Sequence, residues 1–246
     1  MDFGPAAQDY ATFRQGFPES FFARVPLTGR VLDLGSGTGT LARGYAARRA
    51  RVVALDHSTA MLRQTTHDGR AIDRVAAKAE ACPLAEGTFD AIVAGQCWHW
   101  FDAALAAAEC RRLLRRGGTL TIARMDYLAD SEIGRATEAL ILQVNPGWPM
   151  AGGQLRDLPW RQQLRAAGFG DFAEFTYDED AAYSHEAWRG RIRACNGVIA
   201  LADERARDWV DDALGRRLRE GFPDPLLVPH RIVALTARVV DPELAV

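Results

Sequence analysis

The glycine-rich segment Asp33-Leu-Gly-Ser-Gly-Thr-Gly39 constrains the fold of this chain more than any other feature of the sequence. A short apolar run, Arg30 to Leu34, precedes it, and an Ala-, Leu- and Arg-rich stretch, Thr38 to Arg48, follows. The run predicts a buried strand and the stretch a helix, so backbone N–H groups of the loop would face a ligand at a helix N-terminus. Glycines at alternate positions let the main chain turn sharply and approach that ligand. The segment therefore predicts a ligand-binding strand–loop–helix unit.

Strands and helices alternate through the first half of the chain, which predicts an α/β fold with right-handed crossovers. The apolar runs predict strands at 30–34, 51–55, 72–77, 89–94, 119–124, within 172–177 and at 230–240. Helices are predicted at 38–48, 58–66, 102–114, 132–144, 156–167, 185–201 and 204–220. The predicted fold is a doubly wound, mostly parallel seven-stranded sheet of the Rossmann-like type, with helical cap insertions.

The length of 246 residues suits one large α/β domain and is short for two. We predict a single domain over 1–246, divided into an N-terminal lid segment (1–28), a cofactor-binding core (29–125), cap helices (126–170 and 184–222) and a last strand (228–240).

Charge and cysteine content narrow the class of partner and the compartment. The net charge is −2 without a clustered basic excess, which argues against a nucleic-acid binder. No apolar run approaches membrane length and no signal pattern opens the chain, so neither a membrane partner nor secretion is predicted. The four cysteines form no CxxC pair or zinc-like cluster, so we predict a cytoplasmic protein without a metal site.

Two acidic residues distinguish between possible cofactors. Asp56 closes the second strand, 21 residues after Gly35, where a carboxylate could accept both hydroxyls of a ribose. The dinucleotide pattern G-x-G-x-x-G/A requires a small residue at position 40, which is Thr40. Asp33 would repel a pyrophosphate and attract the amine of a methionine group. S-adenosylmethionine is therefore favoured over NAD. An NAD-type oxidoreductase, or a protein that binds S-adenosylmethionine without methyl transfer, remains the alternative.

Taken together, these motifs resemble the class I S-adenosylmethionine-dependent methyltransferases, in particular the small-molecule branch with trans-aconitate-type and ubiquinone/menaquinone-type enzymes. The likeness is close from residue 8 to about 124 and rests on Val31 to Gly39, Ala54 to Asp56, Ala79-Glu80 with Pro83-Leu84, Gly95 to Asp102 and Leu113 to Gly118. It implies that the cofactor is bound by Tyr10, Arg14, Asp33, Gly35, Ser36, Gly37, Asp56, His57, Met61, Ala79, Glu80 and Gln96.

The acceptor is predicted to bind near Trp98-His99-Trp100, at the carboxyl edge of the sheet where open α/β folds hold ligands. His99 could remove a proton from the acceptor, or it could be structural. The other candidate acceptor-binding residues are Trp98, Trp100, Asp126, Tyr127, His185 and Arg189. Arg189 and Arg193 would share a helix face that clamps an anionic group or is simply solvated. The predicted reaction is methylation of a small molecule, with oxygen favoured over nitrogen and carbon.

Overall fold

The computed structural model describes residues 12–13, 15–65, 72–153 and 158–240. The predicted lid residues Tyr10 and Arg14 lie outside the described residues.

Strands and helices alternate along the described chain. The helices are α1 (Glu19–Arg24), α2 (Thr40–Ala47), α3 (Thr59–Arg63), α4 (Ala103–Leu113), α5 (Glu132–Val144), α6 (Trp160–Ala166), α7 (His185–Arg193), α8 (Asn196–Ile199) and α9 (Glu204–Gly221). A short 3-10 turn spans Trp98–Trp100. The strands are β1 (Arg30–Leu34), β2 (Arg51–Asp56), β3 (Asp73–Ala76), β4 (Phe89–Gly95), β5 (Leu114–Tyr127), β6 (Phe169–Tyr183) and β7 (Leu226–Val239).

The strands form one seven-stranded sheet in the order β3-β2-β1-β4-β5-β7-β6. The pairs from β3 to β5 are parallel, and β7 runs antiparallel to both of its neighbours. The strands that follow β1 in the chain first extend the sheet to one side, through β2 and β3, and then to the other, from β4 onward. This reversal opens a crevice at the carboxyl ends of β1 and β4, where ligands bind in such sheets. The predicted fold class is confirmed.

Both faces of the central sheet are buried because each strand alternates apolar side chains between two cores. In β1, Leu32 and Leu34 point to one core, which α4 and α6 cover, whereas Val31 points to the other. On that second face α2 contributes Leu41 and Tyr45. The packing on both faces fixes the β1 end from which the glycine loop emerges.

A third core joins α5, α7 and α9 to the ends of β6 and β7. Trp188 of α7 lies at its centre, fully buried, and donates its indole N–H to Thr137 Oγ1 of α5 at 3.1 Å. Tyr127, at the end of β5, packs against this core. No helix in the described ranges is both long enough and apolar enough to cross a membrane.

Several element boundaries differ from the predictions. β6 extends from Phe169 to Tyr183 because it pairs with β7 over almost its whole length, which also starts β7 at Leu226. The acidic residues that follow Tyr177 lie on this hairpin, where Asp178 forms an ion pair with Arg231. The helix predicted at 185–201 is divided into α7 and α8 by Cys195, whose backbone is extended. β5 begins at Leu114 because Leu114 pairs with Phe89 before the chain bulges.

Candidate functional site

A cavity of about 690 Å³ lies at the carboxyl ends of β1, β2, β4 and β5. We call the wall at the β1 and β2 ends the loop half; it comprises Gly35, Ser36, Gly37, Thr38, Asp56, His57, Met61, Ala79 and Glu80. We call the wall beyond β5 the cap half; it comprises Tyr127, Glu138, Trp148, Met150, Arg191 and Asn196. Between the two halves the wall continues through Gln96, His99, Trp100, Arg124 and Asp126.

The glycine loop is built by backbone geometry. Gly35 has a φ of 67°, and a Cβ there would lie 2.9 Å from Cys97 Sγ and 2.8 Å from Phe101 Cζ. Gly37 has a φ of 55°, and a Cβ at this position would meet nothing within 4 Å. Gly35 therefore packs closely against the end of β4, whereas Gly37 borders the open space of the cavity. Both conformations disfavour residues with a side chain.

Asp56 ties the loop to the end of β2. Its Oδ2 accepts a hydrogen bond from Gly37 N and its Oδ1 one from Ser58 N, both at 2.8 Å. Ser58 in turn caps α3, as predicted, and α3 places Met61 in the cavity wall. His57 is exposed, with its Nδ1 3.4 Å from Asp56 Oδ1. A carboxylate that already accepts two backbone bonds is held in one orientation toward the cavity.

The structure corrects the position predicted for Asp33, which is 2% exposed and is not part of the cavity wall. Its Oδ2 accepts a hydrogen bond from Ala42 N in the first turn of α2, at 2.8 Å. Burial, together with the nearby charge of Asp56, raises the pKa of Asp33 to about 7, although the hydrogen bond from Ala42 N lowers it. Asp33 therefore holds the first turn of α2 behind the loop.

The far side of the loop half is formed by the residues predicted there. Ala79 is buried in the wall, and Glu80 Oε1 accepts a hydrogen bond from Asp102 N at 3.0 Å. Gln96 has a φ of 65°, and its side-chain amide donates to the carbonyl of Met125. This bond links the end of β4 to that of β5, at the boundary between the two halves.

Two hydroxyls of the loop half are oriented for a ligand. Ser36 Oγ and Thr38 Oγ1 are buried, line the cavity and have no hydrogen-bond partner among the described residues. Buried polar atoms are nearly always bonded, so an orphan in a cavity wall points to a ligand group. With the open space before Gly37 and the carboxylate of Asp56, these donors and acceptors suit the hydroxyls, amine and carboxylate of S-adenosylmethionine.

The side chains of Trp98, His99 and Trp100 lie in different environments. Trp98 is buried in the core, where it donates to Gln163 Oε1 at 3.0 Å and borders a second, smaller cavity. This placement corrects its prediction as a residue of the acceptor site. His99 and Trp100 are exposed and line the main cavity, with their ring centroids 4.5 Å apart.

Asp126 and Tyr127 lie at the end of β5 and line the cavity, where the sequence predicted them. Asp126 Oδ2 pairs with an Arg124 guanidinium N at 2.8 Å. The Tyr127 hydroxyl donates to Glu138 Oε1 at 3.0 Å. Burial, aided by the charge of Glu138, raises the pKa of Tyr127 well above its usual value, so this phenol stays protonated.

His185 and Arg189 lie away from the cavity, which corrects their prediction. His185 Nε2 lies 3.0 Å from the Pro223 carbonyl, at the start of α7. Arg189 and Arg193 do share a helix face, but both bind Asp211 of α9. The face therefore joins α7 to α9.

The structure brings to the cap half several residues that sequence reasoning missed: Glu138, Trp148, Met150, Arg191 and Asn196. For two of these residues, the position in an amphipathic helix could have predicted a place in the site. Glu138 follows Thr137 on the buried stripe of α5, and Arg191 lies one turn after Trp188 on the buried side of α7. A charged residue on the apolar face of an amphipathic helix is expensive unless it is paired or functional.

The comparisons with known proteins agree with this geometry. Residues 32–122 match the family model described as a methyltransferase domain. An uncharacterized methyltransferase of Mycobacterium tuberculosis is 37% identical over 122 residues, which is 49% of this chain and 50% of the relative. A malonyl-[acyl-carrier protein] O-methyltransferase of Methylococcus capsulatus is 31% identical over 69% of this chain and 64% of its own length. The chain thus spans about half to two thirds of the length of these curated relatives.

Solved structures show the same fold. A candidate type II methyltransferase from Anaeromyxobacter dehalogenans superposes with a TM-score of 0.66 and 24% identity, over 93% of this chain and 99% of the other. A phosphoethanolamine N-methyltransferase of Haemonchus contortus, solved with S-adenosylhomocysteine, has a TM-score of 0.57 at 17% identity over 97% of this chain and 58% of the other.

The fold and the cavity define an α/β protein with a ligand site at the switch point of its sheet. Residues 32–122 match a methyltransferase domain, and the predicted resemblance to methyltransferases is confirmed. The names of the curated relatives agree with the predicted enzyme class and its predicted cofactor.

Proposed function

We propose that this chain binds S-adenosylmethionine in the loop half of the cavity and transfers its methyl group to a small-molecule acceptor in the cap half. Oxygen is the favoured acceptor atom, and we place the reaction in the cytoplasm. None of the four cysteines forms a disulfide in the described part of the chain, which supports a reducing compartment. Relatives of the chain named as methyltransferases of malonyl-[acyl-carrier protein] and of demethylmenaquinone support an acceptor of metabolic size.

One observation carries the proposal: the two halves belong to a single continuous cavity. The loop half offers backbone amides, a fixed carboxylate and two hydroxyls that have no partner in the described part of the chain. The cap half adds Tyr127, Trp148 and Met150 as apolar walls. A protein that only bound the cofactor would not need this second compartment beside it. The cavity is therefore suited to bringing two molecules together, which is the main requirement for a transfer reaction.

Different residues of the loop half would hold different parts of the cofactor. The backbone from Gly35 to Gly37 and the hydroxyls of Ser36 and Thr38 would hold the amino-acid end, while Asp56 would accept the ribose hydroxyls. Met61 and Ala79 would pack on the adenine. When bound there, S-adenosylmethionine supplies an electrophilic methyl group on its sulfonium.

The residues between the halves would orient the acceptor and receive its proton. His99 is the proposed proton acceptor, because its ring lines the cavity beside Trp100. A neutral imidazole can take a proton near pH 7. His99→Gln should lower kcat, with a smaller effect on KM, and should remove the acidic limb of the pH profile, because a proton acceptor is inactive once it is protonated. An unchanged pH profile would assign His99 a structural role.

The experiment that tests the proposal is calorimetric titration of the purified chain with S-adenosylmethionine, S-adenosylhomocysteine and NAD in parallel. We expect binding of both sulfur compounds and none of NAD. Incubation with labelled S-adenosylmethionine and fractionated cytoplasmic metabolites should then transfer label to a small molecule. Binding of NAD alone, or of none of the three, would contradict the proposal.

A further inference from the structure

The cap half contains a buried arginine that forms no ion pair with a carboxylate. Arg191 is 8% exposed and lines the cavity. Its guanidinium carbon lies 4.8 Å from the ring centroid of Tyr127 and 5.3 Å from that of Trp188. Within the described ranges, it forms no ion pair or hydrogen bond with a side chain or carbonyl. A buried cation without an anion is costly, so the site calls for a partner from outside the chain.

The other charged groups of the cavity near the cap are already committed. Arg124 pairs with Asp126 at 2.8 Å. Glu138 accepts hydrogen bonds from the Tyr127 hydroxyl at 3.0 Å and from Gly152 N at 2.8 Å. These bonds hold the two carboxylates in place, so neither forms an ion pair with Arg191. Among the described residues, the guanidinium of Arg191 is thus left without a direct bond to either carboxylate.

The contacts of Arg191 fix its direction. Tyr127 and Trp188 pack edge to face, with ring centroids 5.4 Å apart, and both rings contact the guanidinium. Such cation–π contacts hold the planar group without occupying its N–H donors. The donors therefore remain available for a ligand that enters the cavity. Asn196, whose Oδ1 accepts the Trp148 indole N–H at 2.9 Å, lies in the same wall.

We propose that the methyl acceptor carries a carboxylate, which Arg191 binds through its guanidinium fork in the cap half. This inference rests on the proposed function, since it names the class of acceptor for the same cavity. The guanidinium presents parallel N–H donors that match the two oxygens of a carboxylate. A carboxylate carries the single negative charge that one arginine balances, whereas a phosphate monoester would bring nearly two. The aromatic walls of Tyr127 and Trp148 suit an apolar body attached to that group.

The test uses a graded series of small acids and their neutral amides: acetate and acetamide, benzoate and benzamide, hexanoate and hexanamide. Each compound is titrated by ligand-observed NMR into the full chain, with and without saturating S-adenosylhomocysteine. We expect at least one acid to bind about tenfold or more tightly than its amide, as a charge-assisted bond at a buried site requires. Phenyl phosphate should bind more weakly than benzoate.

Arg191→Met keeps the apolar stem against Tyr127 and Trp188 and should abolish the preference for acids. Arg191→Lys should retain part of it, because the charge remains but the fork is lost. The matched control is Arg189→Met on the same helix, whose partner Asp211 lies outside the cavity wall, and it should leave the preference unchanged. Unchanged S-adenosylhomocysteine binding by each variant shows that its fold is intact.

The outcomes separate this inference from the proposed function. If S-adenosylhomocysteine binds but no acid binds better than its amide, the carboxylate assignment is wrong and the proposed function stands. Tighter binding of phenyl phosphate than of benzoate would likewise overturn the assignment. If S-adenosylhomocysteine does not bind, the proposed function fails, and the titrations without it still decide whether Arg191 binds a carboxylate.

Discussion

The two halves of the cavity are built in different ways. The loop half is formed by one continuous stretch of the chain, from the end of β1 to just beyond β3, and its key contacts involve backbone amides, such as Gly37 N on Asp56 Oδ2 at 2.8 Å. The cap half is formed by side chains from β5, α5, α7, α8 and the segment before α6. Its key contacts join residues far apart in sequence, such as Trp148 and Asn196. The comparison shows why a local motif can predict the cofactor site but not the acceptor site.

The largest expected effect on cofactor binding comes from Gly35→Ala. This variant tests whether the loop half requires glycine for more than its positive φ. Gly35→Ala would place a Cβ 2.9 Å from Cys97 Sγ at a φ of 67°, so the loop must move. We expect S-adenosylhomocysteine affinity to fall on the order of tenfold or more, measured by calorimetry. Gly87→Ala is the control, because its φ is 63° and nothing lies within 4 Å of the added Cβ. An equal loss of affinity in both variants would show that the close packing of Gly35 is not required for cofactor binding.

Asp33→Asn tests whether ionisation of the buried acid behind the loop destabilises the folded chain. The pKa of Asp33 rises from 3.8 to about 7 on folding, so the folded chain binds a proton that the unfolded chain releases. The contribution of Asp33 to the free energy of unfolding is therefore full below about pH 4 and is lost as pH rises through 7.

The Asp33→Asn variant keeps a side-chain oxygen as acceptor for Ala42 N but has no carboxyl group to titrate. The stability of the variant relative to wild type should thus increase between pH 4 and 8, by at most about 4 kcal/mol at 1.4 kcal/mol per pKa unit. Denaturant unfolding at each pH measures this difference. A constant difference across the range would show that Asp33 is ionised in the folded chain.

Glu138→Leu tests the side-chain network of the cap half. The substitution leaves the Tyr127 hydroxyl and Gly152 N without their acceptor, so the free energy of unfolding should fall by about 2 to 3 kcal/mol. S-adenosylhomocysteine binding should persist, because the loop half does not depend on Glu138. Glu174→Leu removes the exposed pair with Arg161 and should cost much less. Loss of cofactor binding in Glu138→Leu would show that the halves are not independent.

The smallest effect is expected outside the cavity. Arg189→Ala removes the ion pairs with Asp211 and Glu186, and partly exposed pairs contribute about 1 kcal/mol or less. Thermal unfolding should change slightly and methyl transfer not at all. A large loss of activity would restore Arg189 to the acceptor site that the sequence predicted for it.

The sequence predicted the loop half because its signals are local. The glycines, Asp56 and Ser58 act on neighbours a few residues away or on the adjacent strand, and strand–loop–helix order fixes their placement. Asp33 was misplaced because the same motif cannot show whether a carboxylate faces a cavity or the adjoining helix. Its bond to Ala42 N decides this in the structure.

The cap half could not be predicted because helix rotation decides which side chains enter the cavity. Arg189, Arg191 and Arg193 are alike in sequence, but burial of Trp188 turns α7 so that Arg191 lines the cavity and the other two bind Asp211. Trp98 was assigned to the acceptor for a similar reason: the 3-10 turn directs it into the core while Trp100 stays 47% exposed. Only tertiary packing supplies this information.

The central claim is that cofactor and acceptor occupy separate halves of one cavity. It is tested most directly by calorimetric titration of S-adenosylhomocysteine into the wild type, Asp56→Ala and Arg191→Met. We predict that the wild type and Arg191→Met bind equally and that Asp56→Ala binds far more weakly, because it loses both the carboxylate and its hold on Gly37. Full affinity in Asp56→Ala, or equal loss in both variants, would contradict the claim.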